Sequence, residues 1–491
     1  MNLGFIGWIA MVAVPLGLGA ALLAALGIGP RDGRVLFVAR SWCVGALALA
    51  AILFGTASIG LSPRLVDLTP ALLLVGSGLA LVGYLRARWR DSEGPLHDAP
   101  APRVKVHPLV WVALGLCCAL ALDQMLLVLP YPIVSGDEAH LWASRARVHF
   151  ESGGFGPTYA AEFDRRILVK SGAVPFFVQH ADYPHLGPLL QVWVYALADT
   201  VTWAENRVPL QLFGVATIAL VVGTLALRVR WPIAAGAGLL LLASRPMQEG
   251  LSTAYVDLAV GAGFLLAVEA WLRLRASGET RWFALMALGL ALALFAKHEG
   301  ALLAVAFAGG VLVDCLRRWR TGAGEPCAPR ARAALWLIAP AAAVLAVWLF
   351  NRHFGLENDL LSGNSKGRPF WVLFLWQFPE RSVAVAAYFV ERVLLVTAHS
   401  RGILLALVLV VLARPRAALA SSMLAPLAAV VLAIAGYYVV FVGSPHHLEW
   451  HLSTAAGRVL FQVVPVAALV LGVLLDDTWT AWRQRVIDTD D

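Results

Sequence analysis

Between Val208 and Leu227 the chain reads VPLQLFGVATIALVVGTLAL, an uncharged run entered through Arg207 and left through Arg228 and Arg230. At a helical rise of about 1.5 Å per residue, such a run is roughly 30 Å long, the thickness of a bilayer's hydrocarbon layer. Runs like it recur along all 491 residues, of which 60% are hydrophobic and 14% charged. A soluble domain is about 25% charged. The composition therefore excludes a soluble globular enzyme, a disordered regulator and a coiled coil. The expected fold class is all-α, a polytopic transmembrane helical bundle.

The apolar runs predict about thirteen spans, at 3–28, 41–61, 68–85, 108–130, 208–227, 231–247, 254–272, 282–296, 300–316, 333–351, 399–413, 422–442 and 459–475. Two apolar stretches are left over. Pro188 to Trp203 is short for a span, and counting it would reverse the side of every later loop, so it is expected to lie as an interfacial helix. Residues 371–396, interrupted by Pro379-Glu380-Arg381 and Glu391-Arg392, are read the same way. The first run, Leu3 to Ile28, lacks a basic leader and is too long for a signal-peptide core, so it is expected to remain a helix.

The net charge of +7 is not a nucleic-acid signature, because the basic residues gather at span ends. If the spans alternate, one face carries Arg31, Arg34 and Arg40, the 86–105 cluster, Arg228 and Arg230, Arg273 to Arg281, Arg317 to Arg332, Arg414 and Arg416, and Arg483 and Arg485. The positive-inside rule makes that face cytoplasmic. Four Lys among 38 basic residues, with abundant Ala and Trp, point to a bacterial plasma membrane. The five Cys lie in apolar runs or beside a basic loop and imply no disulfide framework. Three longer segments, 131–207, 352–398 and 443–458, then face the outside and hold the unusual polar chemistry.

Five clusters stand out there. Ser135-Gly136-Asp137-Glu138-Ala139-His140 follows a span and offers a carboxylate at the membrane surface, suited to a general base. A helix starting at Asp137 would align Glu138, Trp142, Arg145 and His149. Its Asp-Glu-Ala-His letters are not a helicase box, since no phosphate-binding loop accompanies them. Asp182-Tyr183-Pro184-His185-Leu186-Gly187-Pro188 opens the interfacial helix. Arg207, Arg245, Lys297 with His298, and Arg458 are cations at outer span ends, where few are expected; together they suggest a ring that binds phosphate. Asp257 opens a span, where a carboxylate needs a partner. His446-His447-Leu448-Glu449-Trp450-His451 is rich in metal-type side chains, but its spacing matches no established site. Snorkelling to lipid head groups, helix capping and plain loops are the structural alternatives for these residues.

In order, these segments resemble the membrane glycosyltransferases of the GT-C superfamily, above all the lipid A aminoarabinose transferases and protein O-mannosyltransferases. The resemblance runs through roughly residues 108–475. It rests on Gly136-Asp137-Glu138 followed by Ala143-Ser144-Arg145-Ala146-Arg147, on Tyr183-Pro184-His185-Leu186, on Arg207-Val208-Pro209, on Asp257, on Ala296-Lys297-His298-Glu299-Gly300, and on Arg458 with Pro465. It departs from the family where His185 replaces a second Pro and where two residues precede Gly300. Residues 1–107 are left as three extra helices with a basic loop, and 476–491 as a short cytoplasmic tail.

The resemblance implies transfer of a sugar from a polyprenyl-phosphate donor to an unknown acceptor hydroxyl at the extracytoplasmic face, with inversion. Asp137 is then the expected base and Glu138 its neighbour in the catalytic pair. Arg207, Lys297, Arg458, His298 and Arg245 are expected on the donor phosphate, and Tyr183, His185 and Asp257 on the substrate. No cofactor is required, although the Asp137/Glu138 pair has the chemistry to coordinate a divalent ion, as in some superfamily members. Membrane lipids are the other expected partners, and nucleic acid is not one. The competing readings are a transporter or flippase, which favours inverted repeats, and a polymerase or ligase of lipid-linked glycans.

Overall fold

The computed structural model describes residues 3–92, 106–133, 136–156, 159, 180–322, 334–356, 358, 369–391 and 400–490. Ser135 and the basic residues Arg103, Lys105, Arg330 and Arg332 lie outside them. Among the described residues every regular element is helical. The longer helices are α1 (Phe5–Ala25), α2 (Arg34–Ser58), α3 (Leu65–Ser92), α4 (Pro108–Val128), α5 (Ser144–Ser152), α6 (Leu186–Ala198), α7 (Val208–Ala226), α8 (Trp231–Ala243), α9 (Arg245–Ser252) and α10 (Asp257–Ser277). They continue as α11 (Thr280–Ala296), α12 (Glu299–Thr321), α13 (Ile338–His353), α14 (Phe370–Tyr388), α15 (Ile403–Ala413), α16 (Leu424–Gly443), α17 (Gly457–Phe461) and α18 (Val464–Asp490).

Nine of the described helices are long and apolar enough to cross a membrane, or ten if the bent pair α9–α10 is one span. The chain is a membrane-embedded helical bundle. The thirteen expected spans included three segments that form shorter apolar helices, α8, α11 and α15. The run 231–247 does not continue as one helix. It stops at Ala243, Ser244 is extended, and α9 sets off through Pro246 to meet α10 at an angle of 118°. Among the described cysteines, Cys43, Cys117 and Cys118 are free thiols.

Burial sorts the bundle into a centre and a rim. The window over Glu205–Ala226 is 89% buried, whereas that over Leu65–Arg88 is 6% buried. The centre is α7, α10, α11 and the first half of α18, while α3 leans on α1 and shows its other faces outward. Gly263 and Gly289 let α10 and α11 approach backbone to backbone, as small residues do between helices in lipid. The segment expected to lie flat at the interface, α6, is instead enclosed: Leu186 to Ala196 are all buried, against α1, α2, α5 and α11. The other such segment forms α14, which packs on α16 and leaves Trp371, Leu375, Trp376 and Val383 exposed.

The basic clusters converge at one end. Arg281 donates to the Gly27 carbonyl at 2.6 Å, Arg273 to that of Asp32 and Arg86 to that of Ala25. Arg275 pairs with Asp314, and Arg230 with Asp476. Just inside this end, Arg40 and Arg273 share Glu269 on α10, at 2.5 and 2.9 Å, and both stack with Arg281 around Trp282. Arg40 and Glu269 have no exposed side-chain surface. Removing one partner of such a pair leaves a buried charge uncompensated. Glu269→Gln is therefore expected to cost about 3–5 kcal/mol, read as a lower thermal midpoint of the detergent-solubilised protein.

Candidate functional site

The opposite ends of the same helices build the site. Helix α10 runs from Asp257 to the basic end, α11 returns from it to Lys297, and α12 leaves again from Glu299. With 21 residues, α10 separates the two ends by about 30 Å. Between the helix ends lies a cavity of about 350 Å³ whose lining includes Asp137, Asp182, Tyr183, Asp257, Lys297, His298, Glu299 and Arg458. Trp142, Tyr437, Phe441 and Trp450 supply aromatic walls. Six of the ten residues singled out in the sequence meet here, from five separate stretches of chain.

Lys297 sits in the break between α11 and α12. Its ammonium reaches Asp257 at 3.1 Å and Glu299 at 2.8 Å. Burial works against the charge, but the two carboxylates outweigh it and hold the lysine above its ordinary pKa. Asp257 also accepts from Gln462 at 2.7 Å, and Tyr437 donates to Gln462. Gly300 makes this turn feasible. A Cβ there would meet the Ala293 carbonyl oxygen at 2.1 Å, so the start of α12 lies flush on the last turn of α11. Gly300→Ala is expected to push these helices apart, lowering the thermal midpoint and displacing Lys297 from Asp257.

Across the cavity Arg458 donates to Asp137 at 2.6 Å and to the Thr454 carbonyl, and stacks on Tyr255. Asp137 is the more open of the two, with 38% of its side chain exposed. The chain is helical from Asp137, as the sequence led one to expect. Residues Glu138–Ala143, however, form a π turn, whose wider step separates Glu138 from the face of Arg145 and His149.

On the third wall Asp182 accepts from His298 and Asn358, both at 2.9 Å, and its backbone carbonyl accepts from Asn351. Behind it, Arg145 is buried and donates to the carbonyls of Tyr183 and Pro184. This clamps the 182–185 turn onto α5.

The other four residues stand apart from the cavity. All five N–H groups of Arg207 are taken: Glu138 holds two, at 3.2 and 2.9 Å, and the carbonyls of Val128, Tyr131 and Pro132 hold the rest. Arg207 is a brace for the turn after α4, with no donor left over for a phosphate. Glu138 likewise accepts from Arg207 and from the Ala254 amide, so both its oxygens are engaged. Asp137 and Glu138 therefore turn to different partners. Among the described residues, no group of three or more His, Cys, Asp or Glu is placed to hold a metal ion. Arg245 pairs with Glu249 one turn along α9 and is largely exposed. His185 lies behind the wall, packed on Phe350 and hydrogen-bonded to Arg145. Burial and then that guanidinium lower its pKa well below the ordinary value, so it is neutral.

Asp182, Glu299, Gln462 and Tyr437 are the partners that sequence reading did not assign. Gln462 and Tyr437 were findable as polar groups within apolar runs, which need partners in lipid. Of the histidine-rich segment, His446 and His451 reach the cavity; burial, then His446, pushes the His451 pKa down to about 4. Comparison with protein-family models, with curated proteins and with solved structures finds no match, so the site is read from its own geometry.

Proposed function

We propose that this chain is an integral-membrane glycosyltransferase of GT-C type, moving a sugar from a polyprenyl-phosphate donor to an acceptor hydroxyl at the extracytoplasmic face of a bacterial plasma membrane. The observation that carries the reading is the cavity opposite the basic end. It sets an open carboxylate, Asp137, against two cations, Arg458 and Lys297, at the ends of the apolar helices. On this reading the basic end is cytoplasmic, by the positive-inside rule. The thirteen-span topology follows if α8, α11 and α15 cross as well.

In the reaction, the acceptor oxygen attacks the anomeric carbon while its proton passes to Asp137. The bond from that carbon to the phosphate oxygen breaks on the far side, and its electron pair leaves with the phosphate. This inverts the anomeric centre. Arg458 has to exchange Asp137 for the phosphate, which frees the carboxylate as a base at the moment the donor binds. Lys297, already between Asp257 and Glu299, adds its field to the growing phosphate charge. Sugar donor and acceptor supply all the atoms, so no nucleotide or redox cofactor enters.

Native mass spectrometry of the gently purified protein tests this without knowledge of sugar or acceptor. A co-purifying polyprenyl phosphate, bare or glycosylated, that is lost from a Lys297→Ala/Arg458→Ala variant is the expected result. Ordinary phospholipids alone in both samples would overturn it and favour a transporter. Product longer than one sugar would instead favour a polymerase.

A further inference from the structure

Helix α4 stands at the rim of the bundle and runs from the basic end to the cavity end. At its start His107 stacks on Trp231, next to the Arg230–Asp476 pair. Its far end is held by Arg207, which donates to the Val128 carbonyl. Val110, Leu114, Cys117, Ala121 and Met125 form the buried stripe, and the helix packs on α7, α8 and α9. Val112, Leu116, Leu120, Asp123 and Leu127 follow one another at steps of three and four residues, and all are exposed. On a helix that spacing is one continuous face.

Asp123 is the polar residue of that face. The exposed side of a membrane span meets lipid, where a carboxylate is costly and normally turns inward to a partner. Elsewhere in the bundle that rule is kept: Glu269 is held by Arg40 and Arg273, and Asp314 by Arg275. Among the described residues no cation or hydrogen-bond donor reaches Asp123. The polar groups beside it are already committed. Gln124 donates to Ser252 on α9 at 2.7 Å, and Arg245 on that same helix pairs with Glu249 at 2.7 Å. Asp123 lies five residues before Val128 and fifteen after Pro108, about 8 Å below the cavity end of α4 and about 22 Å from the other. Lysine and arginine can snorkel over such a distance, but the short stem of an aspartate cannot.

We propose that this face of α4 docks a membrane-spanning helix of another protein, one that carries a lysine or arginine at the depth of Asp123. Charge complementarity selects the partner. A second copy of this chain, inserted the same way and packed by the same face, would bring two Asp123 carboxylates together at one depth, where they repel. Lipid tails supply neither a cation nor a donor. Between helices in lipid, apolar contact alone discriminates little, so a polar pair fixes which helix docks and at what height. Leu116, Leu120 and Leu127 pack around that pair. The face lies outside the cavity, so the docking stands whatever reaction the cavity performs.

A partner of defined sequence tests this. The full-length protein is co-expressed with a single-span Leu/Ala helix whose Arg-rich flank sets its basic end on the same side, and which carries one lysine about 8 Å below its other end. The readout is retention of that helix through affinity purification in mild detergent. Wild type is expected to retain it about tenfold better than the same helix with leucine in place of the lysine. Asp123→Leu is expected to lose the difference while keeping a thermal midpoint at or above that of wild type, since no hydrogen bond or ion pair is removed. Asp123→Lys is expected to reject the lysine helix and to retain one bearing aspartate at that position. Equal retention of the lysine and leucine helices by wild type overturns the proposal, as does a lysine preference that survives in Asp123→Leu. A lowered thermal midpoint in Asp123→Leu makes Asp123 a fold element and overturns it too. A wild-type dimer that Asp123→Leu abolishes would put a second copy on this face, and so overturns the choice of partner.

Discussion

On the proposed function, Asp137→Asn is expected to lower sugar transfer by about 10²–10⁴-fold while leaving the thermal midpoint and lipid-phosphate binding close to wild type. The size is that of a positioned general base removed from a proton transfer. Amide and carboxylate are nearly the same shape, so the cavity keeps its walls. The amide oxygen can still accept from Arg458, although without a charge, and Arg458 is then freer to meet the donor phosphate. Donor affinity is therefore expected to stay level or rise, as kcat falls. Release of polyprenyl phosphate from a synthetic polyprenyl-phosphate sugar measures the first quantity, and its binding to the same sample the second. Retained turnover would remove Asp137 as the base. A matched collapse of turnover and thermal midpoint would make its contact with Arg458 a fold element instead.

The same experiment separates the two acids of the motif, which sequence alone could not rank. Adjacent in the chain, Asp137 and Glu138 look like a catalytic pair. The π turn and the Ala254 amide divide them: one lines the cavity, the other is locked to Arg207. What was legible in the sequence was the class of structure and six of the residues that line one cavity. Long uncharged runs declare themselves through hydropathy, and Asp137, Tyr183, Asp257, Lys297, His298 and Arg458 are polar groups at the ends of such runs. What was not legible was pairing. Whether Arg207 faces a ligand or a neighbouring carbonyl depends on contacts between residues about 70–80 positions apart, which no local pattern encodes. Asp182 reads as one polar residue of a turn until His298, 116 positions away, is placed against it. The break at Ser244 was hidden for a related reason: Arg245 and Pro246 come at the close of the apolar run 231–247, where they read as the end of one span and not as the start of a new helix. Hydropathy registers burial in lipid, but it does not register a change in helix direction.

Arg207 yields the second large effect, and it is an effect on folding. Arg207→Ala and Arg207→Lys are both expected to lower stability by about 3–5 kcal/mol, the cost of breaking a buried ion pair from one side. Lysine keeps the charge but not the fork. Three rotatable N–H groups on one nitrogen cannot meet two carboxylate oxygens and three separate carbonyls at once. Glu138, with 13% of its side chain exposed, would then keep its charge with only the Ala254 amide and a misplaced ammonium to balance it. A phosphate ligand would behave otherwise. Its replacement by lysine would leave the thermal midpoint unchanged and weaken only donor binding. Thermal unfolding of the Arg207→Lys protein beside its lipid-phosphate affinity therefore decides between brace and ligand. A Glu138→Met/Arg207→Met double variant sharpens the result. Removing both charges together should recover part of the loss, as apolar replacement of a whole buried pair does. Recovery is expected to stop short of wild type, because the carbonyls of Val128, Tyr131 and Pro132 lose their donors and nothing apolar replaces those bonds.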